Sequence, residues 1–227
     1  MTDGRRAEFK RPLRPSTPDL SEALLQSGEV PVELRAVDVR ERHLSASDLS
    51  GRDATGLQLI ESRLEEVDLS DTILRRASIR DTVIEGGNWA NVDAAEAAMT
   101  RVEMRRVRLT GTVLAGAKIE DVTFVECRLD LSSMRFAQLD RARFEDCRMQ
   151  EVDLYEATLT SVAFASCDLT KASLAKASFG QCEMRDCELN GIGNAERLRD
   201  VAMPWADIVR SAAVLAAGVG VHILDDD

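Results

Sequence analysis

Aromatic residues and histidines are scarce in this chain. Of its 227 residues, 4% are Phe, Trp or Tyr and two are His, although 44% are hydrophobic. A core of this composition must consist of aliphatic and small side chains. His43 and His222 lie far apart in the sequence, and neither is near a thiol or a carboxylate pair at the spacing of a catalytic triad or a metal centre.

Long apolar runs and nucleotide-binding glycine motifs are also missing. No apolar stretch approaches the roughly 18 residues of a membrane span, and the sequence MTDGRRAEFKRPLRP at the N-terminus has no apolar segment of a signal peptide. Neither GxxxxGK[ST] nor GxGxxG occurs. The net charge of −11 is unlike that of a basic nucleic-acid-binding protein. We therefore expect a cytoplasmic protein without direct nucleic-acid binding, without a cofactor or metal, and without a catalytic site.

What the sequence does contain is a five-residue repeat. Residues 162–182 divide into VAFAS, CDLTK, ASLAK, ASFGQ and C, with a small residue first and Leu or Phe third. The same frame holds for 32 consecutive blocks over residues 32–191, without insertion or deletion. A period of five fits neither an α-helix nor a flat strand, but it suits a chain that turns a corner after each block and winds into a solenoid.

A second period indicates the number of sides. Identical residues recur every 20 positions, at Cys127, Cys147, Cys167 and Cys187 and at Phe124, Phe144 and Phe164. Such residues stack if one coil contains four blocks, which gives a square cross-section. Thirty-two blocks then form eight coils, a rod about 38 Å long at the spacing of hydrogen-bonded strands.

Several blocks resemble the A(D/N)Lxx signature of the pentapeptide-repeat family, namely VDLSD (67–71), VDLYE (152–156), CDLTK (167–171) and ASLAK (172–176). The resemblance implies an all-β solenoid, a right-handed quadrilateral β-helix. We predict about eight coils over residues 32–191, an N-terminal arm and capping helix over residues 1–31, and a C-terminal helical cap or dimerisation segment over residues 192–227.

Helical patterns flank the repeats. STPDLSEALLQSG, residues 16–28, begins with capping residues and an early Pro and ends with Gly, which predicts a short helix over the first coil. After Pro204, apolar residues recur at helical spacing, and VHIL at 221–224 is a candidate edge strand. This C-terminal stripe either caps the last coil only or also joins two copies, and the resemblance favours a homodimer, because several family members dimerise through C-terminal helices. The stripe consists of Trp205, Ile208, Val209, Ala212, Leu215, Ala216 and Val219.

The unusual core residues have packing explanations. All five cysteines occupy the small inward position, where Cys behaves as a small hydrophobe. Stacked cysteines would have Cβ atoms about 4.8 Å apart, whereas a disulfide prefers about 3.8 Å. Trp89 occupies a central position, and Gly87 and Ala94 are expected to free volume for its indole. A solid core leaves no interior pocket, so we do not expect an enzyme.

The function must then lie on the surface, where acidic residues predominate. The sides centred on Leu44 and Leu49 carry most of the net negative charge of the repeats. Two acidic patches are the candidate partner-binding surfaces. One contains Glu61, Glu65, Glu66, Asp68 and Asp71, and the other contains Glu183, Asp186 and Glu188.

Two functions remain open at this point. The resemblance implies a DNA mimic that binds DNA gyrase or another type II topoisomerase and modulates it or protects it from inhibitors. The alternative is a general protein-interaction scaffold with another partner. The acidic excess and the expected dimer favour the first, whereas a B-DNA segment of this length would carry about 22 negative charges, against a net −8 for the repeats. A basic band in the middle of the rod favours the second, with Arg101, Arg105, Arg106 and Arg108.

Overall fold

The computed structural model describes residues 9–21, 25–27 and 33–224. The repeats form a parallel β-solenoid of about eight coils, which confirms the predicted fold class. Each strand residue pairs with the residue 20 positions further along, as Leu59 does with Ile79 and Ile79 with Met99. One coil therefore contains four five-residue blocks.

We name the four sides of the coil by their central residues. Side A is centred on Val39, side B on Leu44, side C on Leu49 and side D on Ala54, each followed by every twentieth residue. Sides A and B consist of strands, whereas sides C and D are joined from coil to coil by single β-bridges.

The strands of sides A and B are short near both ends of the rod and continuous across the A–B corner in its middle. The continuous strands are β6 Ser78–Glu85, β7 Ala98–Arg105, β8 Lys118–Val125 and β9 Gln138–Glu145. The short strands of side A are β2 Asp38–Arg40, β4 Gln58–Ile60, β10 Thr158–Thr160 and β12 Ser178–Gly180. Those of side B are β1 Gln26–Ser27, β3 Arg42–Ser45, β5 Arg63–Glu65, β11 Ala163–Ala165, β13 Cys182–Arg185 and β14 Val201–Ala202.

The chain turns each corner at a residue with positive φ. At the A–B corner, φ is 50° at Glu41, 49° at Glu61 and 50° at Asp81. The N–H group of the corner residue donates to a carbonyl of the next coil, as Glu41 does to Ile60 at 3.1 Å. Every fifth residue thus has a left-handed backbone, and this turn is the reason for the five-residue period.

Two side chains of each block point into the core. At the small position, hydroxyl groups also donate to carbonyls of the preceding coil, as Thr72 does to Leu49 at 2.9 Å and Thr112 to Trp89 at 2.8 Å. The five cysteines are buried and free, as predicted. Trp89 is 2% exposed, so the prediction that it fills the core is confirmed.

The N-terminal segment differs from the prediction. Residues 16–21 have no helical structure, and Gln26–Ser27 forms β1, which pairs with Arg42–His43 of β3. Residues 22–24 and 28 of the predicted helix, and Arg5 and Arg6 of the predicted arm, lie outside the described ranges. The N–H groups of Ser16 and Asp19 donate to carboxylates of the solenoid. Because these residues bond to the rod and not to one another, the helix prediction is wrong for the described residues.

The C-terminal segment begins with a 3-10 helix, Ala195–Asp200, followed by β14 and two short helices, α1 Trp205–Arg210 and α2 Ala212–Gly218. The predicted stripe is thus divided at Ser211. Residues 221–224 form no strand, contrary to the prediction, because β14 already pairs with the open edge of β13. No helix in the described ranges is long and apolar enough to span a membrane.

Asp207 completes the hydrogen bonds of the last coil. Its carboxylate accepts the N–H group of Asp186 at 2.8 Å. One coil earlier, the equivalent N–H group of Ser166 donates to the carbonyl of Arg185 at 2.9 Å. The side chain of Asp207 therefore replaces a carbonyl that a ninth coil would have supplied.

Candidate interaction surfaces

The first predicted acidic patch lies on one coil but not on one side. The A–B corner carries Glu61, side B carries Glu65, the B–C corner carries Glu66, side C carries Asp68 and the C–D corner carries Asp71. Glu65 is paired, because it lies 2.6 Å from Arg63 and 3.0 Å from His43. The hydrogen bond from Arg63, and next that from His43, lowers the pKa of Glu65. The structure therefore spreads this patch around half of the coil.

The second predicted patch is also divided. Glu183 is buried and paired with Arg185 on side B. Asp186 lies 3.3 Å from Arg210 of α1. Glu188 is exposed on side C and accepts the N–H group of Asn190 at 3.1 Å.

Ion pairs neutralise most of the predicted basic band as well. Arg101 pairs with Asp81, Arg105 with Glu103 and Arg106 with Glu85. Similar pairs follow side B, at Arg63–Glu65, Arg143–Glu145 and Arg185–Glu183. The fourth residue of the band, Arg108, is exposed on side C. The net charge of a side therefore does not show which of its charges are free to meet a partner.

Side C carries its charge in bands. Its first outward position is occupied by Asp48 and Asp68, then Asn88, then Arg108, Arg128 and Arg148, and finally Asp168 and Glu188. β-Bridges join these residues from coil to coil, so like charges are stacked about 4.8 Å apart along the backbone. Arg148 reaches Asp130 at 3.7 Å, whereas Arg108 and Arg128 form no ion pair within the described part of the chain.

An N-terminal segment, residues 9–21, lies along the A–B corner, and we call it the strap. The N–H group of Ser16 donates to Asp121 at 3.0 Å, and that of Asp19 donates to Asp81 at 3.1 Å. Asp81 and Asp121 stand two coils apart in the same corner column. The sequence predicted no surface role for either aspartate.

Each of these aspartates is held by an arginine from the next coil. Arg101 donates to Asp81 at 2.6 Å, and Arg141 donates to Asp121 at 2.8 Å. The hydrogen bond from Arg101 lowers the pKa of Asp81 against the opposing effect of burial. Burial is the largest influence on the pKa of Asp121 and acts to raise it, but the hydrogen bonds from Arg141 and Ser16 together still lower it. Both carboxylates are therefore charged at neutral pH.

Side D carries an aromatic cluster that the sequence analysis missed. The rings of Phe136 and Tyr155 meet edge to face at 5.6 Å, and the cations of Arg135 and Lys176 lie 4.4 and 5.0 Å from the Tyr155 ring. Phe136 and Leu131 are 50% and 60% exposed, and both have φ of 59°. The signal in the sequence is a large apolar residue at the corner position of a block.

The C-terminal helices contact the rod through a different face from the predicted one. Asp207 and Ser211 are buried, and Val214 and Leu215 pack against the core. Most of the predicted stripe faces away or is half-buried. Trp205, Val209, Ala212 and Val219 are exposed, and Ile208, Leu215 and Ala216 are half-buried.

Cys147 and Cys167, in the middle of the stacked cysteines, are chemically quiet. The neighbouring thiol of Cys127, and then burial, raises the pKa of Cys147 to about 12, and the thiol of Cys147 does the same for Cys167. Thiols in this state are not nucleophiles at neutral pH. Within the described ranges, no group of three or more His, Cys, Asp or Glu side chains is arranged to hold a metal ion.

Several solved structures are similar to this chain at low sequence identity. Full-length QnrB1, a plasmid-mediated fluoroquinolone resistance protein, is 16% identical with a TM-score of 0.43, over 83% of this chain and 92% of that one. HetL of the cyanobacterium Nostoc, involved in heterocyst differentiation regulation, is 17% identical with a TM-score of 0.30, over 75% and 89%. A protein of the Arabidopsis thaliana thylakoid lumen is 18% identical with a TM-score of 0.23, over 61% and 69%. These values are too low to transfer a function.

Two family models match the repeats. The model described as "Pentapeptide repeat region" matches residues 97–166, and "Pentapeptide repeats (8 copies)" matches residues 43–81 and 153–191. Together they cover more than half of the chain, and both describe a repeat rather than a catalytic domain. The comparison with curated proteins gives no match. With its unbroken frame and its 20-residue coils, the chain belongs to the pentapeptide-repeat family.

Proposed function

We propose that this protein is a non-enzymatic rod that binds another protein through its charged surface. The observation that carries the proposal is the banded charge of side C, with Arg108, Arg128 and Arg148 between two acidic ends. Stacked like charges repel one another, so each band favours a partner of opposite charge. A partner with basic, acidic and basic segments at matching positions would satisfy all three bands. Five free thiols also suit the cytoplasmic location that we propose.

The narrower candidate is a DNA mimic that binds DNA gyrase or another type II topoisomerase. The net charge of −11 supports it, and so do Asp68 and Asp71, which accept hydrogen bonds from Ser70 and Asn91 but form no ion pair with another described residue. The three arginines oppose it, because a surface that accepts DNA is positively charged and would repel them. The geometry therefore supports a protein-interaction rod more strongly than a mimic.

A supercoiling assay with DNA gyrase, with and without a quinolone, separates the two candidates. One variant reverses the acidic end, Asp68→Lys with Asp71→Lys, and the other reverses the basic band, Arg128→Glu with Arg148→Glu. A DNA mimic loses its effect on gyrase in the first variant and gains effect in the second. No effect of any form at large excess would exclude gyrase. A partner captured from a lysate by the wild type and lost from both variants would then identify the partner that recognises the bands.

We also propose that the protein is a homodimer joined through its C-terminal helices. Trp205 and Val219 are 76% and 75% exposed, and Val209 is exposed beside them. Such a patch is typical of an interface. Light scattering should give the mass of a dimer for the wild type and of a monomer for Trp205→Glu with Val209→Glu. Ile73→Glu, which changes an exposed apolar residue on side D, is the control and should remain dimeric.

A further inference from the structure

The strap contacts the rod at regular intervals. Of residues 10–19, the half-buried ones are Pro12, Pro15 and Pro18, and the other seven are exposed. Over residues 10–19, one residue in three therefore faces the solenoid, and each of these is a proline; Leu20, the next half-buried residue of the strap, departs from this spacing. Three residues per turn is the period of a polyproline II helix, and proline favours this conformation because its φ is fixed near −65°.

The pitch of such a helix matches the spacing of the coils. Three residues of polyproline II rise about 9.3 Å, and two coils rise about 9.6 Å. The hydrogen bonds follow this match, because the residues after Pro15 and Pro18 donate to aspartates two coils apart. These bonds are Ser16 to Asp121 at 3.0 Å and Asp19 to Asp81 at 3.1 Å.

The rod holds the strap through the main-chain N–H groups and the prolines of the strap. The acceptors belong to a corner column that we call the track: Asp81, Arg101, Asp121 and Arg141. Asp81 and Asp121 are 4% and 7% exposed. Each already accepts two hydrogen bonds from its arginine, and the strap adds one main-chain N–H donor to each. Any segment with a proline every third residue offers the same groups at the same spacing.

The strap leaves part of the rod uncovered. Residues 11–15 and side B enclose a cleft of about 190 Å³, lined in part by Ala163, Phe164 and Glu183. The side chains of Leu13 and Arg14 line this cleft but remain exposed, so they do not fill it. A longer or bulkier proline-rich segment would fill this space, so the strap is not the best possible occupant.

We propose that the track is a docking site for a proline-rich segment of a partner protein, with a proline every third residue and basic residues between, and that this segment replaces the strap. The sequence of the strap, FKRPLRPSTPDLS, defines the chemistry, since Lys10, Arg11 and Arg14 give it positive charge. The partner segment competes with a strap that its own chain holds at a high effective concentration. The inference deepens the proposed protein-binding function but does not depend on side C.

The test uses the full-length protein and a fluorescent peptide of residues 9–21. Binding is measured by anisotropy to the wild type and to a strap variant, Pro15→Ala with Pro18→Ala, which leaves the track intact. We expect about tenfold tighter binding to the strap variant, because its own strap competes less. Adding Asp81→Asn with Asp121→Asn should weaken binding about tenfold, through two lost charge-assisted hydrogen bonds. Glu126→Gln, an exposed acid at the B–C corner, is the control and should leave binding unchanged.

A second peptide keeps the test independent of the folding of the track variant. Alanine at positions 12, 15 and 18 preserves the charges but removes the prolines, and we expect at least fivefold weaker binding. Equal binding of both peptides would overturn the proposal, since charge alone would then explain the contact. Equal binding to the wild type and the strap variant would also overturn it. A dimer that the strap variant loses would identify the strap of a second copy as the occupant instead. Reversal of the side C bands should change none of these results.

Discussion

The C-terminal half of the core stacks like residues, whereas the N-terminal half stacks unlike ones. Phe124, Phe144 and Phe164 form a ladder with ring centroids 4.8 and 5.1 Å apart and planes within 1° and 7° of parallel. These distances are close to the spacing of the coils, because identical side chains at equivalent positions follow the spacing of their backbones. The ladder therefore needs no local change in the backbone.

The column of side C that contains Trp89 does need a local change in the backbone. Trp89 stands between Leu69 and Leu109, and Gly87, two residues before it, has φ of +89°. A Cβ atom at Gly87 would lie 2.3 Å from the carbonyl oxygen of Val67. The indole N–H has no hydrogen-bond partner within the described residues, and an apolar cavity of about 30 Å³ lies nearby. The like rings thus stack regularly, whereas the indole between two leucines is accompanied by a glycine and by an unpaired donor.

Removing one ring from the ladder should have the largest effect. Phe144→Ala leaves a cavity between two stacked rings, and we expect the free energy of unfolding to fall by about 3–5 kcal/mol. Urea denaturation measures this change. Phe136→Ala is the matched control, because Phe136 is 50% exposed and should change the stability by about 1 kcal/mol or less. Similar losses for the two variants would mean that the ladder adds no stability of its own.

Gly87→Ala, in the N-terminal half of the core, should have the next largest effect on stability. The new Cβ would meet a backbone carbonyl at a left-handed φ, and we expect a loss of about 2–4 kcal/mol. Gly51→Ala is the control, because Gly51 has φ of +65° but nothing within 4 Å of a new Cβ. It should lose about 1 kcal/mol, from the backbone alone. If both variants lose the same amount, the close approach to Val67 has no energetic consequence.

The solenoid could be predicted because its rules are local. A corner after every fifth residue and a stack at every twentieth both appear directly in the sequence, and they placed Trp89 and the cysteines in the core. The segments flanking the repeats follow other rules. Ser16 donates to an aspartate 105 residues away, and no pattern within residues 16–28 encodes such a contact. A capping motif there predicts a helix, whereas carboxylates on the rod accept the N–H groups of Ser16 and Asp19 instead.

The surface was harder to predict than the core, for a reason that side C makes clear. Summing charges over a side hid both the ion pairs and the bands. The bands were present in the sequence, since Arg108, Arg128 and Arg148 are 20 residues apart, like the cysteines and the phenylalanines. The period that revealed the core therefore also applies to each outward column. The ion pairs, by contrast, depend on side-chain directions that the frame does not specify.

A double-mutant cycle would show whether Gly87 is present because of Trp89. Trp89→Leu makes the column uniform, with Leu at five successive coils, and removes the unpaired N–H group. If the glycine accommodates the indole, Gly87→Ala should be about 1 kcal/mol less costly in the Trp89→Leu background than in the wild type. Urea denaturation of the four proteins gives this coupling. Additive effects would show that Gly87 serves the path of the backbone alone, and that the two halves differ for another reason.

Release of the strap by acid should have the smallest effect. It tests the two hydrogen bonds that attach the strap, one to Asp81 in the N-terminal half of the rod and one to Asp121 in the C-terminal half. The pKa values of Asp81 and Asp121 are lowered from 3.8, so their contribution to holding the strap is complete above this value and is lost as the pH falls through the folded pKa. The largest influence on the pKa of Asp121 is burial, which raises it. The largest influence on the pKa of Asp81 is the hydrogen bond from Arg101, which lowers it. We therefore expect the amide proton of Ser16 to lose its hydrogen-bonded NMR shift at a higher pH than that of Asp19. Nearby Arg141 stays charged throughout. Simultaneous loss, or the reverse order, would show that the two attachments open as one unit or that the rod around Asp121 holds the strap more firmly.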